Sequence, residues 1–415
     1  MVVLDGASDR LSANEKTPLE TASTPNLDAL VQRGSLGSMF TVGRGIAPES
    51  DAGVFSLLGY DPLEIHLSRG VVETIGAGVE FHEGDLALRA GFATVQGDKL
   101  VDRRAGRNLS TEEARELGAA VNRELRLKDG VSFEFKATVG HRAVVVFRSG
   151  SHKFSSDISN FDPAYVRKGN ISIAQPGAKE YEIPECEALD DSREAIISAA
   201  LVNEFGFKTR QVLDHAPVNE RRRSLGKKPA NFLLMRDAGT SKPKVEGFAK
   251  KWGVKPAMVA DLPAELGIGR LLGMDVREIP PGTSLEDYRR RAELVLKLAA
   301  QFDFVYVHLK GPDEPGHDGL LDLKKQRIEE IDSGFFSTLR KASKLQRIVL
   351  CATCDHSTPW KDKGHSDDPV PLLVVGGSIR PDGSKRFTET SAQKGAFGML
   401  AQGNLLLDRL KQTAT

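Results

Sequence analysis

The sequence predicts an α/β protein, a mostly parallel sheet flanked by helices with a small α+β unit inserted into it. Three features carry that expectation: short apolar runs ending in turns or polar residues, helical periodicity between those runs, and one internal stretch patterned unlike its flanks. The apolar runs, in order, are Val2–Leu4, Asn231–Met235, Phe304–His308, Ile348–Cys351 and Leu372–Val375. Between them, Thr24-Pro25 opens a helical segment to Gly34 with Leu27, Leu30 and Val31 on one face, and a second helix spans Leu285–Phe302. Parallel strands require such crossovers.

The stretch from about Glu80 to Glu185 reads differently. It offers a helix over Thr111–Leu125, an alternating strand over Val131–Thr138 and another over Arg142–Phe147. Strong α/β signals on both sides make this an insertion, so residues 1–80 and 186–415 are expected to form the core and 81–185 an inserted, substrate-covering unit. Loops are marked by Gly226-Lys227-Lys228-Pro229 and by Gly239 to Lys244.

Composition narrows the function. At 415 residues, one hydrophobic core is rarely enough. Lys plus Arg and Asp plus Glu both total 57, so no global field draws the chain to nucleic acid or to an anionic membrane, and neither is expected as a partner. Homo-oligomerisation is left open. Cys186, Cys351 and Cys354 are too few for a disulfide framework and fit a reducing compartment. A strand pattern starting at Val2 leaves no room for a signal peptide, and apolar runs such as Ala195–Val202 fall short of the roughly 20 residues of a membrane span. A cytoplasmic protein is expected. Cys351 and Cys354 are read as structural thiols, because no second Cys pair accompanies them.

The chemistry concentrates at strand ends. Asp5 follows Val2–Leu4, Asp313 and His317 follow the run ending in Lys310, and Asp355-His356 follow Ile348–Cys351. His365 lies in the loop before Leu372–Val375. Each alone has an ordinary reading as a turn or cap residue, but ligands of open α/β sheets bind beyond the carboxyl ends of strands, and four such segments share one rim. Pro315-Gly316 would bend the chain so that Asp313 and His317 converge. Carboxylate and imidazole without thiolate suit Mn²⁺, Mg²⁺, Zn²⁺ or Co²⁺, with manganese favoured. Two such ions about 4 Å apart would clamp the attacking and leaving oxygens of a phosphoryl transfer.

Ser50 follows the turn Gly43-Arg44-Gly45 and precedes the apolar run Val54–Leu58. That setting suits a plain N-cap. It equally suits a nucleophile, since a helix N-terminus and a nearby cation would lower the hydroxyl pKa and attract a phosphate.

These segments, with Leu4-Asp5-Gly6-Ala7-Ser8-Asp9, Thr24-Pro25-Asn26-Leu27-Asp28, Glu49-Ser50-Asp51, His308-Leu309-Lys310-Gly311-Pro312-Asp313, Asp355-His356-Ser357-Thr358-Pro359 and His365-Ser366-Asp367-Asp368-Pro369, carry a resemblance over nearly the whole chain. The sequence resembles the archaeal-type 2,3-bisphosphoglycerate-independent phosphoglycerate mutases of the alkaline phosphatase superfamily. That resemblance implies an alkaline phosphatase-like core and two divalent ions, one held by Asp5, Ser50, Asp355 and His356 and the other by Asp313, His317 and His365. It implies interconversion of 3- and 2-phosphoglycerate through a phosphoserine at Ser50, in glycolysis and gluconeogenesis. The alternative is a metal-dependent phosphatase or kinase-like phosphotransferase acting on another small phosphorylated metabolite.

Such a substrate needs guanidinium forks. Arg103 and Asp102 are expected at the reacting groups, with Arg69, Arg107, Arg142 and Lys310 as further substrate contacts, whereas Arg104 and Arg221–Arg223 are expected to face water. Two departures from the family pattern stand out. Leu266 occupies the place of a lysine that many members carry, and Ser68-Arg69-Gly70-Val71 replaces a Gly-Arg-Gly-Pro stretch. Lys310 or Arg270 is expected to compensate.

Overall fold

The computed structural model describes residues 1–65, 68–168, 171–174, 181–183, 185–342 and 348–414. The chain divides into two compact units. One comprises Met1–Ile65, Val245–Asp261 and Ile268–Thr415, and the other His66–Lys244 with Leu262–Gly267.

The first unit is built on an eight-stranded sheet in the spatial order Asp275–Glu278, Pro256–Ala260, Phe304–Leu309, Val2–Leu4, Leu350–Thr353, Val370–Val375, Gly34–Met39 and Gly398–Leu400. Val2–Leu4 lies parallel to both neighbours, matching Val307 on one side and Ala352 on the other. Its residues are wholly buried, as expected of a strand covered on both faces. Val370–Val375 runs antiparallel to Leu350–Thr353. That reversal matters for chemistry, because the loop entering Val370–Val375 then lies at the same rim as the segment leaving Leu350–Thr353. Helices Pro25–Val31, Leu285–Leu298 and Leu321–Ile331 belong to this unit; the first two start from the Pro and Ser signals in the sequence.

The second unit holds a six-stranded sheet running Ser132–Ala137, Arg142–Arg148, Leu86–Gln96, Lys99–Asp102 and Tyr181–Glu182, with Phe232–Gly239 antiparallel to Leu86–Gln96. It reaches beyond the 81–185 expected from the sequence at both ends. The strand over Asn231–Met235, anticipated in the parallel sheet, instead completes this one. The reason is packing. The helix Arg193–Asp214 brings Phe205 against Phe133 and Phe147 at ring-centroid distances of 5.1 and 5.2 Å, so the apolar segments after residue 185 find partners here. An apolar run alone does not say which sheet it joins.

Cys186, Cys351 and Cys354 are buried free thiols, and burial pushes the Cys351 thiol up to about 12. No helix among the described residues is long and apolar enough to cross a membrane.

Candidate active site

The acid and imidazole groups at the strand ends of the first unit come together in two clusters, Asp5 with Asp355 and His356, and Asp313 with His317 and His365, the ligand atoms within each lying inside 4.8 Å of one another. Asp5 leaves Val2–Leu4, Asp355 leaves Leu350–Thr353, and Asp313 opens the short helix Asp313–Asp318 just past Phe304–Leu309, all at the carboxyl ends of adjacent parallel strands. His365 joins them through the antiparallel entry of Val370–Val375.

In the first cluster each carboxylate has one oxygen engaged and one left over. Asp355 Oδ1 accepts the backbone N–H groups of Gly6 and His356, both at 3.1 Å, while its buried Oδ2 accepts no hydrogen bond. Asp5 Oδ2 lies 3.0 Å from Lys310 Nζ, while its buried Oδ1 accepts none and lies 3.5 Å from His356 Nε2. Buried acceptors without donors cost about 1–3 kcal/mol each, so the arrangement is suited to a cation between them. Burial alone would raise the Asp5 pKa, but Lys310, His308 and His356 hold it well below the usual range. Burial would likewise lower His356, yet Asp355, then Asp5 and Asp313, push it well above that of a free imidazole.

Tautomers follow from the hydrogen bonds. Thr358 Oγ1 donates to Asp313 Oδ1 at 2.7 Å, which spends its one proton, so it accepts from His356 Nδ1 at 3.0 Å. His356 Nε2 is then the lone-pair nitrogen in the neutral ring, and it lies 3.2 Å from both Ser50 Oγ and Asp355 Oδ2. The second cluster repeats this logic. His365 Nδ1 donates to Pro48 O at 2.8 Å and His317 Nδ1 to Lys363 O at 3.2 Å, leaving their Nε2 atoms facing each other at 3.1 Å, each 3.5 Å from Asp313 Oδ1. Two lone pairs and a carboxylate at such distances repel unless a cation joins them. His356 and His365 stack at a centroid distance of 3.8 Å, so the two clusters are immediate neighbours.

Ser50 is the first residue of the helix Ser50–Leu57, and the cap position belongs to Glu49. The plain N-cap reading of Ser50 is therefore displaced, and its hydroxyl turns to His356. Two glycines permit the crowding. A Cβ on Gly53 would approach Asp355 O to 2.6 Å, and one on Gly6, whose φ is +56°, would come within 2.6 Å of Asp313 Oδ1.

The second unit carries a different set. Arg69 pairs with Glu73 at 2.9 Å, Arg89 with Glu73 at 3.1 Å, and Arg103 and Arg236 share buried Asp162 at 3.0 and 2.7 Å. Arg104, expected in water, is half-buried, and burial followed by the charges of Arg107, Arg142 and Arg103 lowers its pKa. His141 registers the same field, since burial and then Arg142, Arg104, Arg236 and Arg89 push it down to about 3. An anion would relieve that concentration of positive charge. The loop bearing Arg103 and Arg107 has left-handed φ at Ala105 (45°), Gly106 (75°) and Arg107 (54°), a strain of the kind that persists where surroundings hold the backbone.

Asp102 fixes one end of that loop, accepting from Arg104 N at 2.8 Å and from Lys228 Nζ at 2.7 Å. These bonds, with one from Gly106 N–H, outweigh burial and hold its pKa below the ordinary value. Arg222 fixes the other end. Read as solvent-facing within the Arg221–Arg223 run, it is fully buried and donates to Ala105 O at 3.1 Å, Asn108 Oδ1 at 2.6 Å and Glu113 Oε2 at 2.8 Å. A helix turns successive residues to different faces, so a run of three charges need not share one environment.

Of the residues considered for the missing lysine, Leu266 is buried, Arg270 pairs with Glu278 at 3.5 Å, and Lys310 stands beside Asp5. Sequence reasoning missed Thr358, which bridges the two clusters, and His308, whose Nε2 lies 3.6 Å from Asp5 and 3.7 Å from Asp355. It also missed Arg89 and Arg236. For Arg89 the available signal was a lone charge inside an otherwise uncharged strand, whereas Arg236 is followed by Asp237 in its own.

A family model described as 2,3-bisphosphoglycerate-independent phosphoglycerate mutase matches residues 31–219. Proteins of that name from Aeropyrum pernix and Methanopyrus kandleri are 41% and 39% identical, each over 98% of this chain and over 97% and 94% of their own lengths. Among solved structures, a Pyrococcus horikoshii protein matches all of this chain and 96% of its own with a TM-score of 0.76 and 30% identity. The cofactor-independent phosphoglycerate mutase of Thermoplasma acidophilum matches all of this chain and 98% of its own with a TM-score of 0.62 and 32% identity. With relatives this similar along its full length, the chain belongs to the 2,3-bisphosphoglycerate-independent phosphoglycerate mutases.

Proposed function

We propose that the protein interconverts 3-phosphoglycerate and 2-phosphoglycerate through a phosphoserine at Ser50. The observation that carries this reading is the placement of Ser50 Oγ at 3.2 Å from His356 Nε2, beside two sets of three ligand atoms. Asp5, Asp355 and His356, with Ser50, would hold one divalent ion, and Asp313, His317 and His365 the other; the mixed carboxylate and imidazole set favours Mn²⁺, with Mg²⁺, Zn²⁺ or Co²⁺ as substitutes. Such ions, when bound, neutralise the charge that develops on the attacking and leaving oxygens.

Ser50 Oγ gives up its proton and attacks the phosphorus of 3-phosphoglycerate, the bond from phosphorus to the C3 oxygen breaks, and that oxygen takes up a proton. The retained glycerate then attacks the phosphoserine with its C2 hydroxyl, which loses its proton as Ser50 is restored. The helix Ser50–Leu57 presents the positive end of its dipole to the incoming phosphate. Arg103, with Arg69, Arg107 and Arg142, offers guanidinium groups suited to the carboxylate and phosphate of such a substrate, and Asp102, ionised at neutral pH, is suited to accept from a glycerate hydroxyl. Lys310, beside Asp5, supplies the positive charge for which Leu266 leaves no side chain. The free thiols support a reducing cytoplasm as the place of work.

Purified protein given Mn²⁺ and 3-phosphoglycerate, without any bisphosphoglycerate, is expected to form 2-phosphoglycerate. Inorganic phosphate as sole product would replace the mutase reading with that of a phosphatase. Arg103→Met is expected to raise KM for 3-phosphoglycerate about 10- to 100-fold, the worth of a charge-assisted hydrogen bond of roughly 1.5–3 kcal/mol, with a smaller change in kcat. An unchanged KM would remove Arg103 from the substrate contacts.

A further inference from the structure

Outside the ligand set, Lys324 in the helix Leu321–Ile331 is a fully buried charged group of the first unit. Its ammonium spends its three donors on Thr358 O at 2.7 Å, Ser8 O at 3.0 Å and Asp9 Oδ2 at 3.1 Å. The partners are chosen from separate ligand-bearing segments. Ser8 and Asp9 follow Asp5, Thr358 follows His356, and the helix of Lys324 itself follows the helix Asp313–Asp318 that carries Asp313 and His317. Asp9 extends the junction: its Oδ2 accepts Trp360 N at 3.0 Å and its own N–H donates to Glu389 Oε1 at 2.9 Å.

We propose that Lys324 is a positioning residue of the two-metal site, holding the loops after Asp5 and after His356 in register with the helix of Asp313 and His317. The inference rests on the two-metal reading above. Stability is a poor reason for a lysine here, because replacing a buried ion pair with apolar groups of similar volume is commonly neutral or stabilising. Geometry is a better one. Lys324 meets none of the proposed ligands directly, yet it bonds to the backbone three residues after Asp5 and two after His356, where a small shift would turn both ligands. Partners that orient ligands in this way are typically worth 10- to 100-fold in metal affinity.

The test is isothermal titration of the metal-free full chain with Mn²⁺ alone. In the double variant Lys324→Met with Asp9→Asn both charges are removed together, so no unpaired charge is buried, but Thr358 O loses its donor and the thermal midpoint of the metal-free protein is expected to fall. Mn²⁺ affinity in that variant is expected to fall at least tenfold. Lys324→Gln with Asp9→Asn, which returns two N–H donors to the carbonyls, is measured in parallel and is expected to fall between; whichever variant folds gives the reading. Wild-type affinity in a folded variant overturns the role of Lys324 and leaves the two-metal reading standing. A wild-type chain that binds no Mn²⁺ overturns both.

Discussion

Ser50→Ala is expected to abolish labelling of the protein by phosphoglycerate and to lower kcat by about 10⁴-fold or more, since removal of a nucleophile that acts as a unit with its neighbours forfeits most of the catalysis at once. The expectation follows from position. Ser50 begins the helix Ser50–Leu57 without capping it, so its hydroxyl serves no structural hydrogen bond to that helix and lies within reach of His356 Nε2. Alanine is a good helix former, and the half-buried site loses only an oxygen, so the fold should be kept and the melting temperature should move little. Both readouts are needed. A labelled intermediate in the alanine variant would place the nucleophile elsewhere, and a large loss of stability would return Ser50 to a structural role.

The ligand segments were legible because each is short and local. Asp355-His356 follows one apolar strand, and Asp313 and His317 sit one helical turn apart, so no long-range information was needed to mark them. Their convergence was legible only through the rule that open sheets bind at strand carboxyl ends; what the sequence did not give was the antiparallel entry of Val370–Val375 that brings in His365. The second unit was harder to read. Arg89 is a single charge in a strand that otherwise looks like core and Arg236 stands beside Asp237 in another, and their meaning comes from pairing with Glu73 and Asp162, which lie on other elements. Arg222 was misread for the opposite reason, because its neighbours Arg221 and Arg223 do lie on the exposed face and concealed the one that is buried. The strand over Asn231–Met235 lies in the other sheet from the one its pattern suggested, since that apolar pattern suits either one and its pairing with Leu86–Gln96 and the packing of Phe232 on Phe161 are long-range.

Removal of divalent ions is expected to stop turnover and also to lower the thermal midpoint, and the second effect is the more discriminating. Asp5 Oδ1 and Asp355 Oδ2 are buried without hydrogen bonds, and the Nε2 atoms of His317 and His365 oppose each other at 3.1 Å. A chain folding in the absence of ions must tolerate those unmet acceptors, whereas an ion bound only by the folded state stabilises it by RT ln(1 + [ion]/Kd), about 2.7 kcal/mol at a hundredfold excess over Kd. For 415 residues unfolding together that corresponds to roughly 3 °C. Chelation followed by graded return of Mn²⁺ should therefore restore activity and melting temperature over the same concentration range. Recovery of activity at ion concentrations that leave the midpoint unmoved would mean that the catalytic ion arrives with the substrate and that Asp5, Asp355 and His356 are not its resident ligands.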